Sequence, residues 1–91
     1  MAINVLEYSL GYQTSGTAVE VTMQGVESDV FLVDSANLSS FKRGGQYRYY
    51  GGHYRQSPVV LRVPNNGTWT AVVVPGRGGR VTASCRVLAG A

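Results

Sequence analysis

The chain has 91 residues, with 8 Lys and Arg against 5 Asp and Glu, 12 Gly, one Cys and one His. That length reads as a single domain over residues 1–91, and a chain 14% charged and 44% hydrophobic is too apolar for intrinsic disorder. One Cys excludes an intrachain disulfide and any zinc site needing two thiolates, and one His excludes a multi-histidine metal site within one chain, so neither a metal nor a cofactor is expected.

The first residues, Met1 to Tyr8, carry no basic stretch and no long apolar run, so no secretory signal is expected. No apolar run is longer than that of Ala71-Val72-Val73-Val74, far short of the ~18 residues of a spanning helix. The expectation is a soluble cytoplasmic protein without a membrane partner.

Period-two patterning then recurs along the chain. Leu6, Tyr8 and Leu10 alternate with Glu7 and Ser9, and Val19, Val21 and Met23 alternate with Glu20, Thr22 and Gln24. A turn is expected at Gln24 to Glu27. Asp29 to Val33 is apolar on both faces, as in a strand covered on two sides. The best helical stretch is Ser35 to Arg43, capped by Asp34 or Ser35 and terminated at Gly44, with Ala36, Leu38 and Phe41 facing inward. Val59, Leu61 and Val63 mark a further strand. Pro64-Asn65-Asn66-Gly67 predicts a tight hairpin turn, since Asn-Gly favours positive φ at both centres. Thr68 to Val74 is again apolar on both faces. Gly76 to Gly79 predicts another turn, followed by a strand with Val81, Ala83, Cys85 and Val87 on its apolar side. About seven strands and at most one short helix, near residues 35–43, predict an all-β fold, either a small antiparallel sandwich or a closed barrel. Trp69 and several of the six Tyr are needed to fill its core, because each aromatic buries ~150–250 Å².

The charges are unevenly placed. Glu7, Glu20, Glu27, Asp29 and Asp34 all lie in the first 34 residues, whereas every Lys and Arg lies at or after Lys42. One reading is that strands from the two halves pair, so that opposite charges meet across the sheet. The other is a dipolar molecule with a basic face that attracts phosphates, nucleic acid or an acidic partner.

The densest basic stretch, Phe41 to Arg55, interleaves four Tyr and one Phe with four basic residues and His53, and contains no acid. Stacking surfaces among cations suit nucleotides, single-stranded nucleic acid or sugar phosphates. The candidate ligand-binding residues are therefore Lys42, Arg43, Arg48, Tyr49, Tyr50, His53, Tyr54 and Arg55. The same residues also read as ordinary strand, with Tyr47 and Tyr49 on one face, Arg48 and Tyr50 on the other, and Gly51-Gly52 supplying a bend. Catalysis finds no support: His53 is the sole imidazole base, no Gly-x-Ser-x-Gly elbow occurs, and Cys85 falls in phase with an apolar face.

Val33 to Phe41, the Gly45 to Gly52 segment with its Tyr49-Tyr50-Gly51-Gly52 run, Ser57-Pro58-Val59 and Val63 to Trp69 together resemble the small bacterial domain-of-unknown-function family numbered 1883. The resemblance spans nearly the whole chain. It implies a compact, mostly β domain of bacterial or phage source, with some relatives joined to Toll/interleukin-receptor-type domains, and it implies no catalytic residues. The expected function is a non-enzymatic binding or interaction module recognising an anionic small molecule, nucleotide or partner through residues 42–55. The alternatives are sequence-tolerant nucleic-acid binding through the basic C-terminal half, and a structural, self-assembling homo-oligomer.

Overall fold

The computed structural model describes residues 5–76 and 79–88. Seven strands and one helix follow in the order β1 (Leu6–Gln13), β2 (Ala18–Gly25), β3 (Ser28–Asp34), α1 (Ser35–Lys42), β4 (Tyr50–Tyr54), β5 (Val59–Arg62), β6 (Gly67–Pro75) and β7 (Val81–Val87). They form two antiparallel sheets, one ordered β1-β6-β3-β4 and the other β5-β2-β7. The fold is therefore a sandwich rather than a closed barrel.

The interior follows from the alternation. Val30 and Leu32 of β3 and Trp69, Ala71 and Val73 of β6 meet Val19, Val21 and Met23 of β2 and Val59 and Leu61 of β5. Leu6, Tyr8 and Leu10 from β1 and Val81, Ala83 and Cys85 from β7 close the sides. Trp69 is buried and donates its indole N–H to the Asn65 carbonyl at 2.8 Å, so its polar edge is satisfied.

The two strands that are apolar on both faces, β3 and β6, are the inner strands of the four-stranded sheet. Their outward residues Phe31, Val33 and Val72 form a second, smaller cluster under Leu38 and Phe41 of α1 and under Tyr47. The molecule thus has three layers on that side: helix, sheet, sheet. Ala36, expected to face inward, is instead exposed on α1.

Local chemistry fixes the helix. Asp34 is the N-cap, its Oδ1 accepting the Asn37 N–H at 2.9 Å. Beyond the helix, the Gly44 N–H reaches the Phe41 carbonyl at 3.1 Å and the Gly45 N–H the Ser40 carbonyl at 2.8 Å. That paired pattern is a Schellman cap, and it needs Gly44 at its observed φ of 78°.

The Asn66-Gly67 turn does not close the expected hairpin. β5 and β6 belong to different sheets, so this segment carries the chain across the sandwich, and no described non-glycine residue has positive φ. Its side chains act as anchors instead: Asn66 Oδ1 accepts the Ser15 N–H at 2.7 Å. Of the Gly76 to Gly79 turn, Arg77 and Gly78 lie outside the described residues.

Candidate functional site

The stretch from Lys42 to Arg55 is not one surface. After α1 it crosses the outside of the four-stranded sheet and then enters that sheet as β4, pairing with β3. In the register Ser28↔Tyr54, Asp29↔His53, Val30↔Gly52, Phe31↔Gly51 and Leu32↔Tyr50, alternate side chains fall on opposite faces. Tyr54 packs against the main core, and Tyr50 lies edge-on to Trp69 with ring centroids 5.8 Å apart. Tyr47, Tyr49 and His53 lie on the other face, over Phe31.

The basic residues are divided in the same way. Lys42 reaches back to Glu7 of β1 at 3.0 Å, which ties the end of α1 to the sheet. Arg55 meets Glu27 at 3.0 Å. Across the other sheet, Arg86 Nε donates to Glu20 at 2.7 Å in the register pair Glu20↔Arg86. With Asp34 capping the helix, every acid has a partner, and four of the five meet a base or histidine at or after Lys42. Opposite charges meeting across the fold thus account for much of the uneven charge distribution. Within the segment, Arg43 and Arg48 have no carboxylate partner among the described residues.

What the segment does build is an aromatic recess. The rings of Phe31, Tyr47 and Tyr49 stand with centroids 5.3–6.0 Å apart, and Phe41 braces Tyr47 edge-on at 5.0 Å. Phe31 is buried and forms the floor, whereas Tyr49 is 53% exposed and offers a face to solvent. Asp29, Gly52 and His53 complete a depression of about 220 Å³. A second recess, lined by Asn37, Gln46, Tyr47 and Arg48, shares Tyr47 with it. A wider recess at the β4–β5 edge, lined by His53, Tyr54, Arg55 and Pro58, opens broadly to solvent.

Asn37 positions the aromatic wall. Its amide nitrogen donates to Asp34 Oδ1 at 2.9 Å, and its Oδ1 accepts the Arg48 N–H at 2.7 Å. One side chain therefore joins the helix cap to the strand-like run between Tyr47 and Tyr49.

His53 stands between two acids. Its Nδ1 is 2.8 Å from Asp29 Oδ1 and its Nε2 is 3.3 Å from Glu27 Oε2. A neutral imidazole has one donor and one acceptor nitrogen, so it satisfies only one carboxylate, whereas the imidazolium satisfies both. The hydrogen bond to Asp29, then that to Glu27, raises the His53 pKa above the usual histidine value. The cluster of Glu27, Asp29, His53 and Arg55 is consequently neutral overall when His53 is charged.

Cys85 is a free thiol on the inner face of β7, half-buried, and burial pushes its pKa up, the reverse of an activated nucleophile. Among the described residues no group of three or more His, Cys, Asp or Glu is placed to hold a metal ion.

Of the eight candidates read from sequence, Tyr49 and His53 line the aromatic recess, and Arg48 lines its neighbour. Lys42, Tyr50, Tyr54 and Arg55 are engaged elsewhere, and the Arg43 guanidinium lies 3.5 Å from Ser40 Oγ. Asp29, Phe31, Tyr47 and Gly52 line the recess without having been singled out. The signal for them lay in the outward phase of β3, which places Asp29, Phe31 and Val33 on one face.

Among known proteins, a family model described as "Domain of unknown function (DUF1883)" matches residues 4–90. No curated protein and no solved structure matches the chain.

Proposed function

The chain belongs to the DUF1883 family, and we propose that it is a non-enzymatic binding module for a small ligand that joins a flat ring to an anionic group. The observation that carries this reading is the recess floored by Phe31 and walled by Tyr47 and Tyr49, beside a second recess that shares Tyr47 and is lined by Arg48, which has no carboxylate partner among the described residues. Its volume of about 220 Å³ suits one ring system rather than a large ligand. Tyr49, 53% exposed, gives a ring a stacking partner, and base–aromatic stacking contributes about 1–3 kcal/mol per base. The anion falls to Arg48, with Arg43 as the nearest second cation along the chain. A nucleotide has this composition, and so does one residue of a single-stranded nucleic acid.

Titration of isotope-labelled protein with 5′-mononucleotides and short single-stranded oligonucleotides, followed by amide and aromatic NMR shifts, tests this reading. The expected result is a set of shifts centred on Phe31, Tyr47, Tyr49 and His53, weakened at least about fivefold by Tyr49→Ala. Shifts confined to other surfaces, or none at millimolar nucleotide, overturn it.

A further inference from the structure

The recess has a polarity that names the ligand more closely, and the inference drawn from it rests on the binding reading above. At one end stand Asp29 and His53. His53 has a carboxylate against each nitrogen, so it offers no free donor. Asp29 uses only Oδ1 on His53, and among the described residues its Oδ2 receives no hydrogen bond. The polar atom presented at that end is therefore a hydrogen-bond acceptor, Oδ2 of a carboxylate whose charge is balanced within the cluster. Arg48 lines the neighbouring recess, which shares Tyr47 with this one. A ring seated against Tyr49 thus has an acceptor within its own recess and a cation in the adjoining one.

We infer that Asp29 selects the ligand by accepting a hydrogen bond from an exocyclic amino group, so that the ligand class is a nucleotide with an amino-bearing base, oriented amino edge to Asp29 and phosphate to Arg48. A keto edge in the same place sets one acceptor against another. That exclusion is the stronger half of the selectivity, because the exposed Asp29 carboxylate and a keto oxygen would each give up water at the contact and gain no hydrogen bond.

Cytidine and uridine monophosphates make the cleanest probes, since the cytosine amino group at C4 is replaced by a carbonyl in uracil. CMP is expected to bind about tenfold or more tightly than UMP, as hydrogen bonds to charged groups discriminate at that level. In Asp29→Asn, whose side chain presents either a donor or an acceptor, the ratio falls to within about twofold. In the adjoining recess, Arg48→Gln brings CMP down to the affinity of the uncharged nucleoside cytidine. The wild-type ratio decides the matter even if Asp29→Asn folds poorly. Equal binding of CMP and UMP with Tyr49-dependent shifts overturns the role of Asp29 and leaves the binding site standing. Failure of both nucleotides to shift Tyr47 or Tyr49 overturns the site itself and this selectivity with it.

Discussion

Adding one methyl group to either of two adjacent glycines should have opposite consequences. At Gly51, paired with Phe31, a Cβ would collide with the Val30 carbonyl oxygen and lie 2.6 Å from Phe31 Cα and 2.8 Å from Phe31 Cβ. These are main-chain atoms and the root of a buried side chain, so no rotamer change relieves the contact. The strands must separate locally, which disturbs the β3–β4 ladder and the second apolar cluster together. At Gly52, the nearest neighbours are Tyr54 ring atoms at 3.9 Å, an ordinary contact, and φ is not positive. Gly51→Ala should therefore cost at least the roughly 1–3 kcal/mol typical of overpacking. For a domain of this size that is a fall in Tm of about 4–8 °C per kcal/mol. Gly52→Ala should be neutral or stabilise by about 0.4–1 kcal/mol, because it narrows the unfolded ensemble. Urea denaturation and thermal melts of both variants supply the measurement. Equal stability of the two variants, or a Gly51→Ala protein within about 0.5 kcal/mol of wild type, would refute the close approach of β4 to β3.

The His53 imidazole should titrate above 6.5, and Asp29→Asn should lower its pKa more than Glu27→Gln does, as read by NMR of the ring protons. Because the folded-state pKa is raised, the stabilisation from this cluster is fully present below the unfolded value and fades as pH rises through the folded one; a stability that instead grows over that interval contradicts the charged bridge. Asp34→Ala removes the α1 cap and should cost about 0.5–2 kcal/mol in urea melts. Asn37→Ala keeps that cap but frees the Tyr47–Tyr49 run, so its loss should appear mainly in ligand affinity rather than in Tm. Alkylation of Cys85 at neutral pH should be much slower in the native protein than in urea, since burial both shields the thiol and raises its pKa.

Much of the fold was legible because alternation is a local property. Val19, Val21 and Met23 announce a buried face without reference to any partner, and the double-sided apolarity of β3 and β6 announces inner strands covered by something. The helix was equally readable, since Asp34 and Gly44 are caps with a mechanism. Strand pairing was not. Asn66-Gly67 favours a hairpin in isolation, but β5 pairs with β2 and β6 with β1 and β3, so long-range packing overrides the turn. Composition drew the eye to residues 42–55 as one basic, aromatic surface. The pleat then divides that surface between two faces, and Lys42 and Arg55 meet acids that lie far away in sequence. Sequence order carries no information on those partners, which is also why Asp29 and Phe31 went unmarked as site residues.

The charge distribution gains its meaning from that division. A net charge of +3 with acids in the first 34 residues and bases after residue 41 suggests a molecular dipole. Folding removes most of it, because β1, β2 and β3 carry or adjoin the acids while α1, β4 and β7 supply or adjoin the cations that meet them. Long-range steering of an anion by a whole basic half is therefore a weaker driving force than composition suggests, since paired charges cancel within about a Debye length of ~8–10 Å. What the recess and its neighbour offer is short-ranged: a stacking surface on Tyr49, a half-engaged carboxylate on Asp29 and the guanidinium of Arg48. Binding built from those parts should depend on salt like one or two phosphate contacts, with a slope of about −0.7 per contact on single strands. A slope several times steeper would mean that other arginines engage the ligand, and that the recognising surface extends beyond the recess.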